Sequence, residues 1–130
     1  LPRALLLFSP WTDMTASGKS YQERADIDPV LTLNYIYATR DAYARGKDLT
    51  DPCLSPLFAD LTGFPPTLIQ AGTNELLLSD SVRLRNRMLK ASVPCRLEVW
   101  DKMWHVFQTF PMKKANEAME HAASFLMGGL

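Results

Sequence analysis

An acid and a histidine stand just beyond the ends of two apolar runs. Thr67-Leu68-Ile69-Gln70-Ala71 stops at Gly72, and Glu75 follows three residues later, where a helical pattern is about to begin. Arg96-Leu97-Glu98-Val99-Trp100 leads in the same way to His105, in a loop that also holds Trp104, Phe107 and Phe110. In an open α/β sheet the carboxyl ends of neighbouring strands face one crevice, where ligands bind. A carboxylate there can hold an imidazole in one tautomer, and the imidazole can take a proton from a nucleophile. The aromatic residues around His105 would keep water away from it. Glu75 and His105 are therefore the candidate catalytic residues. A Glu75 carboxylate oxygen is expected about 2.6–3.2 Å from a His105 ring nitrogen. The nucleophile is missing: neither Ser17-Gly18 nor Ser81-Val82 has the flanking glycines of a Gly-x-Ser-x-Gly elbow.

Other residues compete for these roles less well. Asp80 falls a full turn into the helix and is expected to cap it. Asn74 cannot ionise, so it could orient an imidazolium without stabilising its charge. Asp101 is near His105 in sequence, but a turn residue of this kind is more often solvated. His121 sits inside the last helix after Glu117 and Glu120 and reads as a surface residue. Two histidines without cysteine or carboxylate at ligand spacing give no metal site. Trp11, Tyr35 and Tyr37 could line an acyl pocket, although packing is the commoner use of such residues. Lys113-Lys114 reads as a solvated helix start.

The elements that must position the pair follow from periodicity. Ala4-Leu5-Leu6-Leu7-Phe8 is continuously apolar, as suits a strand buried on both faces of a parallel sheet. Trp11 to Ile27 is polar and reads as a long loop. Asp28-Pro29 predicts a helix opening, with Asp28 as N-cap and Pro29 at the first helical position. Val30, Leu33, Tyr37 and Ala44 would form its apolar stripe, and Gly46 its stop. A proline-rich loop from Asp51 to Pro66 precedes the second strand. Ser79 or Asp80 starts the next helix, with Val82, Leu84, Met88 and Leu89 inward and Arg83, Arg85, Arg87 and Lys90 outward. Ser92-Val93-Pro94 breaks it before a third strand, Cys95 to Trp100. A final helix from Met112 to about Met127 turns Ala115, Ala118, Met119, Ala122 and Phe125 to one side. Three strand–helix repeats predict right-handed parallel crossovers, hence three adjacent strands of a larger doubly wound sheet.

Bulk properties narrow the classes. The 130 residues are 47% hydrophobic and 22% charged with a formal net charge of zero. That balance argues against a nucleic-acid partner, because phosphate binding needs a basic face. Cys53 and Cys95 are too few and too far apart for a disulfide framework or a zinc site, and two reduced thiols are expected. The apolar run Ala4 to Phe8 is too short for a signal peptide or a membrane span. With no signal visible, the expected location is cytoplasmic.

Three stretches then carry a resemblance. Ser55-Pro56-Leu57-Phe58-Ala59-Asp60-Leu61-Thr62-Gly63-Phe64-Pro65-Pro66-Thr67, Glu75-Leu76-Leu77 and Met103-Trp104-His105-Val106-Phe107 resemble the C-terminal part of the bacterial hormone-sensitive-lipase-like esterases. These are serine hydrolases of the α/β-hydrolase fold. The resemblance runs from Ser9-Pro10-Trp11-Thr12-Asp13 to the last helix. The family's acid sits in an Asp-x-Leu pattern, and Glu75 occupies the place of that Asp. The family's histidine sits in a His-Gly-Phe pattern, with Val106 here in place of the Gly. A further Gly before the His loop is matched by Lys102.

The resemblance implies a carboxylic-ester hydrolase with a Ser–His–Glu triad, two members of which lie in this chain, acting on a small-molecule ester without a cofactor. Residues 1–130 would be the C-terminal portion of a single α/β-hydrolase domain. The serine elbow and the His-Gly-Gly-Gly-type oxyanion loop would belong to an N-terminal remainder. By themselves these residues should lack esterase activity and fold poorly, because an interior strand would become a sheet edge. The resemblance also suggests a homodimer through the edge of strand 95–100. A peptidase or lactone hydrolase would suit the same fold. A non-catalytic receptor on a hydrolase scaffold is a further alternative, against which the retained acid–histidine pair argues.

Overall fold

The computed structural model describes residues 1–128. Three strands, β1 (Leu5–Phe8), β2 (Thr67–Gly72) and β3 (Cys95–Trp100), form one parallel sheet in the order β1-β2-β3. The helices are α1 (Ser20–Glu23), α2 (Leu33–Ala44), α3 (Leu78–Lys90) and α4 (Lys113–Gly128). Short 3₁₀ turns at Pro56–Phe58 and Phe107–Thr109 complete the chain. The register sets Leu7 beside Ile69 and Ile69 beside Leu97, so the strands end level with one another.

The central strand explains the layering. Every residue of β2 is buried, and successive side chains of a strand point to opposite faces. Ile69 packs with Leu57, Leu61, Leu84, Met88 and Val93 beneath α3. Its neighbour Gln70 faces α4. There its amide donates to the Ala118 carbonyl (2.8 Å) and to Glu98 (3.0 Å), while its oxygen accepts from Gln108 Nε2 (3.1 Å). A polar side chain in the middle of a buried strand is tolerated because its polar atoms are satisfied. Beyond it, Phe107, Ala115 and Ala118 pack with Met103. A third cluster joins Tyr21, Leu31, Ile36, Leu76 and Leu77 above the carboxyl ends of the strands.

Several local expectations change. The stretch Trp11–Ile27 is no open loop: it contains α1 and buries Thr12, Asp13, Met14, Ser20 and Tyr21. Asp28 does not cap α2, which begins four residues beyond Pro29 with Thr32 Oγ1 accepting from Tyr35 N. Asp28 instead accepts from the N–H groups of Val30 and Leu31, an Asx-type turn, and from Leu76 N. Asp side chains compete for nearby backbone donors in this way. α2 buries Ile36 and, as expected, Ala44, whereas Val30 is exposed. The helix stops at Arg45, whose left-handed backbone (φ 50°) precedes Gly46. Leu89 and Met119, expected inward, are about half exposed. Arg83, expected outside, turns back to bind Asp13 (2.8 Å). β1 is only partly buried because one of its edges has no neighbour among the described residues.

Gly72, at the end of β2, lets the His loop come close. A Cβ there would overlap the carbonyl group of Met103. The approach is fastened by Asn74 N donating to Met103 O (2.9 Å) and Thr73 N to Trp100 O (3.1 Å). In the intact protein Gly72→Ala should lower stability by about 2–3 kcal/mol, read from the urea midpoint. An unchanged midpoint would show that the two segments separate at no cost.

Candidate active site

Glu75 is fully buried, in the turn between β2 and α3. The turn is pinned from several directions. Ser20 exchanges hydrogen bonds with Ser79, its N–H donating to Ser79 Oγ (2.9 Å) and its hydroxyl accepting from Ser79 N (2.9 Å). The Ser20 hydroxyl donates in turn to the Leu76 carbonyl. Asp28 Oδ2 accepts from Leu76 N at 2.8 Å. With its backbone fixed, the Glu75 side chain folds back over the end of β2. Its Oε2 accepts from Gly72 N (2.7 Å) and from the Ser9 hydroxyl (2.8 Å).

The other carboxylate oxygen meets the histidine. Glu75 Oε1 lies 3.6 Å from His105 Nδ1, longer than the 2.6–3.2 Å expected of a catalytic hydrogen bond. The structure thus brings the two groups together without closing the bond. Both atoms are buried. Among the described residues neither atom has a competing hydrogen-bond partner, and a shift of a few tenths of an ångström would join them. Catalytic contacts in unliganded sites are often long in this way. The His105 side chain is 22% exposed, so the imidazole is open to solvent on one side while Nδ1 is enclosed.

Sequence reasoning did not place Ser9 in the site. Its hydroxyl donates to Glu75 Oε2 and accepts from Val106 N (3.0 Å), the residue after His105. A signal was present: Ser9 is the first residue after β1, at the same crevice. Its backbone is left-handed (φ 46°), as are Lys102 (φ 60°) and Val106 (φ 47°) in the His loop. L-residues seldom adopt this region, a β-branched one least of all. The two positions where the resemblance places glycine in the family are thus positions where this chain has a glycine-like backbone.

The competing acids are elsewhere. Asp101 is exposed, and its carbonyl accepts from Lys114 Nζ (2.7 Å). Asp80, in the first turn of α3, caps nothing. Its Oδ2 accepts from the N–H groups of Thr12 (2.8 Å) and Asp13 (2.9 Å), and its Oδ1 from the Tyr21 hydroxyl (2.9 Å). That bundle binds the segment after Ser9 onto α3. His121 is exposed, as expected, and contacts Glu98 Oε1 (3.1 Å) while packing against Trp100. A pocket of about 500 Å³ opens beside His105, walled by Trp11, Leu31, Tyr35, Ile36, Thr39 and Leu77. No acidic or basic side chain other than the imidazole lines it. Tyr37 packs against the cluster around Tyr21 and lies outside that wall. Cys53 and Cys95 are free thiols. Among the described residues no group of three or more His, Cys, Asp or Glu could hold a metal ion. None of the described helices is long and apolar enough to cross a membrane.

A parallel sheet with helices on both faces, its polar groups gathered where the strands end, is the layout of the α/β-hydrolase class. The chain belongs to that family: the model of an alpha/beta hydrolase fold family matches residues 1–109. An acetyl-hydrolase of Streptomyces hygroscopicus is 35% identical over 128 residues, covering 97% of this chain and 43% of the relative. An esterase of Acinetobacter venetianus is 36% identical over 129 residues, covering 96% and 42%. Among solved structures, an esterase from the bacterial hormone-sensitive lipase family superposes with a TM-score of 0.94 at 40% identity, over 97% of this chain and 43% of that one. A hormone-sensitive lipase from a metagenome library superposes with a TM-score of 0.96 at 32% identity, over 100% and 45%. The chain spans less than half the length of these relatives.

Burial dominates the chemistry of Asp80. Loss of hydration raises its pKa from 3.8 to about 7, against the opposing effect of the hydrogen bonds from Thr12, Tyr21 and Asp13. The folded state therefore holds a proton that the unfolded chain has already lost between those values. Stability contributed by this group is fully present below pH 3.8 and is lost as the pH rises to about 7. Asp80→Asn keeps an acceptor for the two N–H groups and cannot ionise. In the intact protein, the stability of wild type relative to this variant should fall across that interval and level off above it. A pH-independent difference between the two denaturation series would show that Asp80 does not titrate there.

Proposed function

We propose that this chain is the C-terminal portion of a serine hydrolase that cleaves small carboxylic esters, with His105 and Glu75 as two members of its triad. The observation that carries the reading is the approach of Glu75 Oε1 to His105 Nδ1, two enclosed atoms with no other hydrogen-bond partner among the described residues. With Nδ1 turned to the acid, Nε2 is the nitrogen left to serve a serine from the N-terminal remainder of the domain. The serine oxygen would attack the ester carbonyl as Nε2 takes its proton, and the same proton would pass to the departing alcohol as the tetrahedral intermediate collapses. Water would then hydrolyse the acyl-serine by the same route. Glu75 would hold the tautomer and stabilise the imidazolium. The uncharged pocket beside His105 supports an apolar acyl or alcohol group, and its volume is within the range of small-molecule sites. The open edge of β1 supports a strand of the N-terminal remainder beside it.

In the intact enzyme Glu75→Gln should lower kcat on a short-chain aryl ester by about a thousandfold or more while circular dichroism stays unchanged. Residues 1–130 alone, without the nucleophile elbow and its oxyanion donors, should set the zero of the assay. A kcat within a few-fold of wild type would remove Glu75 from the mechanism.

We further propose a homodimer through β3. Its outer edge has no strand beside it among the described residues, and unpaired edges associate unless blocked. Glu98 blocks it poorly, because Arg96, His121 and Gln70 already engage its carboxylate. Light scattering of the intact protein at micromolar concentration should give twice the monomer mass; a monomer would overturn this.

A further inference from the structure

The hydroxyl of Ser9 is hydrogen-bonded to both the acid and the His loop. It is 3% exposed, donates to Glu75 Oε2 at 2.8 Å and accepts from Val106 N at 3.0 Å. We infer that Ser9 is a positioning residue of the triad: its hydroxyl orients the Glu75 carboxylate and holds the His loop against it. The inference rests on the reading of Glu75 and His105 as triad members.

A buried glutamate serves a histidine only when its carboxylate is held in one orientation. A Glu side chain has three rotatable torsions, and burial alone does not choose the rotation of its carboxylate. Gly72 N and Ser9 Oγ both donate to Oε2. Two donors on one oxygen leave the other, Oε1, turned toward His105 Nδ1. Gly72 N belongs to the strand beside Glu75 and fixes the carboxylate relative to β2 alone. Ser9 adds a link to the residue that follows His105, so acid and imidazole are referred to one atom. The hydroxyl is suited to this because it can donate and accept at once, which neither a carbonyl nor an N–H can do.

Ser9 is itself held from outside the triad. Its N–H donates to Gln70 O (2.8 Å), extending the β1–β2 ladder by one residue. Three residues on, Thr12 N and Asp13 N are tied to Asp80. Between these anchors the backbone passes through φ 46° at Ser9, a conformation that persists only when its surroundings enforce it. The strain is accepted at the position where it carries the hydroxyl to Glu75.

The test uses the intact enzyme and a short-chain aryl ester. Ser9→Gly suits the left-handed backbone and removes only the hydroxymethyl group. It should lower kcat about tenfold to a hundredfold, the scale of an ångström-size misplacement, with KM within about twofold of wild type. Ser9→Cys keeps the space filled with a poor donor and should show a smaller loss, again in kcat. In a Glu75→Gln background, Ser9→Gly should cost almost nothing more, because the hydroxyl acts through the carboxylate. Wild-type kcat in both Ser9 variants would overturn the inference. So would a full further loss on top of Glu75→Gln, which would mark Ser9 as generally structural. Should Ser9→Gly fail to fold, the kcat-against-KM split in Ser9→Cys decides. Activity retained in Glu75→Gln alone would instead strike at the triad reading, so the two failures are separable.

Discussion

A carboxylate removed from water has to find its donors within the protein, and the rest of the site is arranged around that requirement at Glu75. Its Oε2 draws on Gly72 at the end of β2 and on Ser9 at the end of β1. Ser9 in turn receives Val106 N from the loop after β3. The ends of all three strands are thus joined through one carboxylate and one hydroxyl. Gly72 serves this twice, as a donor and as the place where the absence of a Cβ lets Met103 approach.

A second buried carboxylate supports the first. Asp80 gathers Thr12, Asp13 and Tyr21 against α3, which fixes the path of the chain just after Ser9. The geometry at Glu75 therefore depends on an acid that does not touch the histidine. Leaving a buried polar group unpaired costs its full desolvation penalty, so the path of the chain here follows the bonds to Asp80. On the α4 side, Gln70 plays a comparable part between Glu98, Ala118 and Gln108. Gln108 lies three residues past His105, so the far end of the His loop is also anchored to β2.

Three of the six described non-glycine residues with positive φ lie at the same place. Ser9, Lys102 and Val106 have left-handed backbones without being glycine. Such residues cost of order 1–3 kcal/mol each and survive where the structure around them is over-determined. Here the over-determination is visible: Lys102 N donates to Thr73 Oγ1 (2.8 Å), and Val106 N donates to Ser9. The imidazole is presented by a loop whose shape is imposed by contacts from the residues just after β1 and β2, with little help from the preferences of its own residues.

The three strands, the two long helices α3 and α4 and their parallel order were legible in the sequence, because apolar runs ending in Gly72 and Trp100 and the 3.6-residue periodicity between them are local signals. Glu75 and His105 stood out for the same reason, as each lies within a few residues of a strand end. The polar segment Trp11–Ile27 misled, since nothing local reveals that Asp13, Ser20 and Tyr21 are buried; their partners on α3 lie 59 to 70 residues away. Asp28-Pro29 has the form of a helix start, and its Asp is taken by Leu76 N, forty-eight positions along the chain. Ser9 could be placed after a strand but not beside Glu75, because its value comes from two bonds to residues 66 and 97 positions distant. Sequence determined which groups were available at the strand ends. Only the packing of α1, α3 and the His loop decided which of them would meet, since long-range hydrogen bonds are set by where the chain folds back and leave no periodic trace.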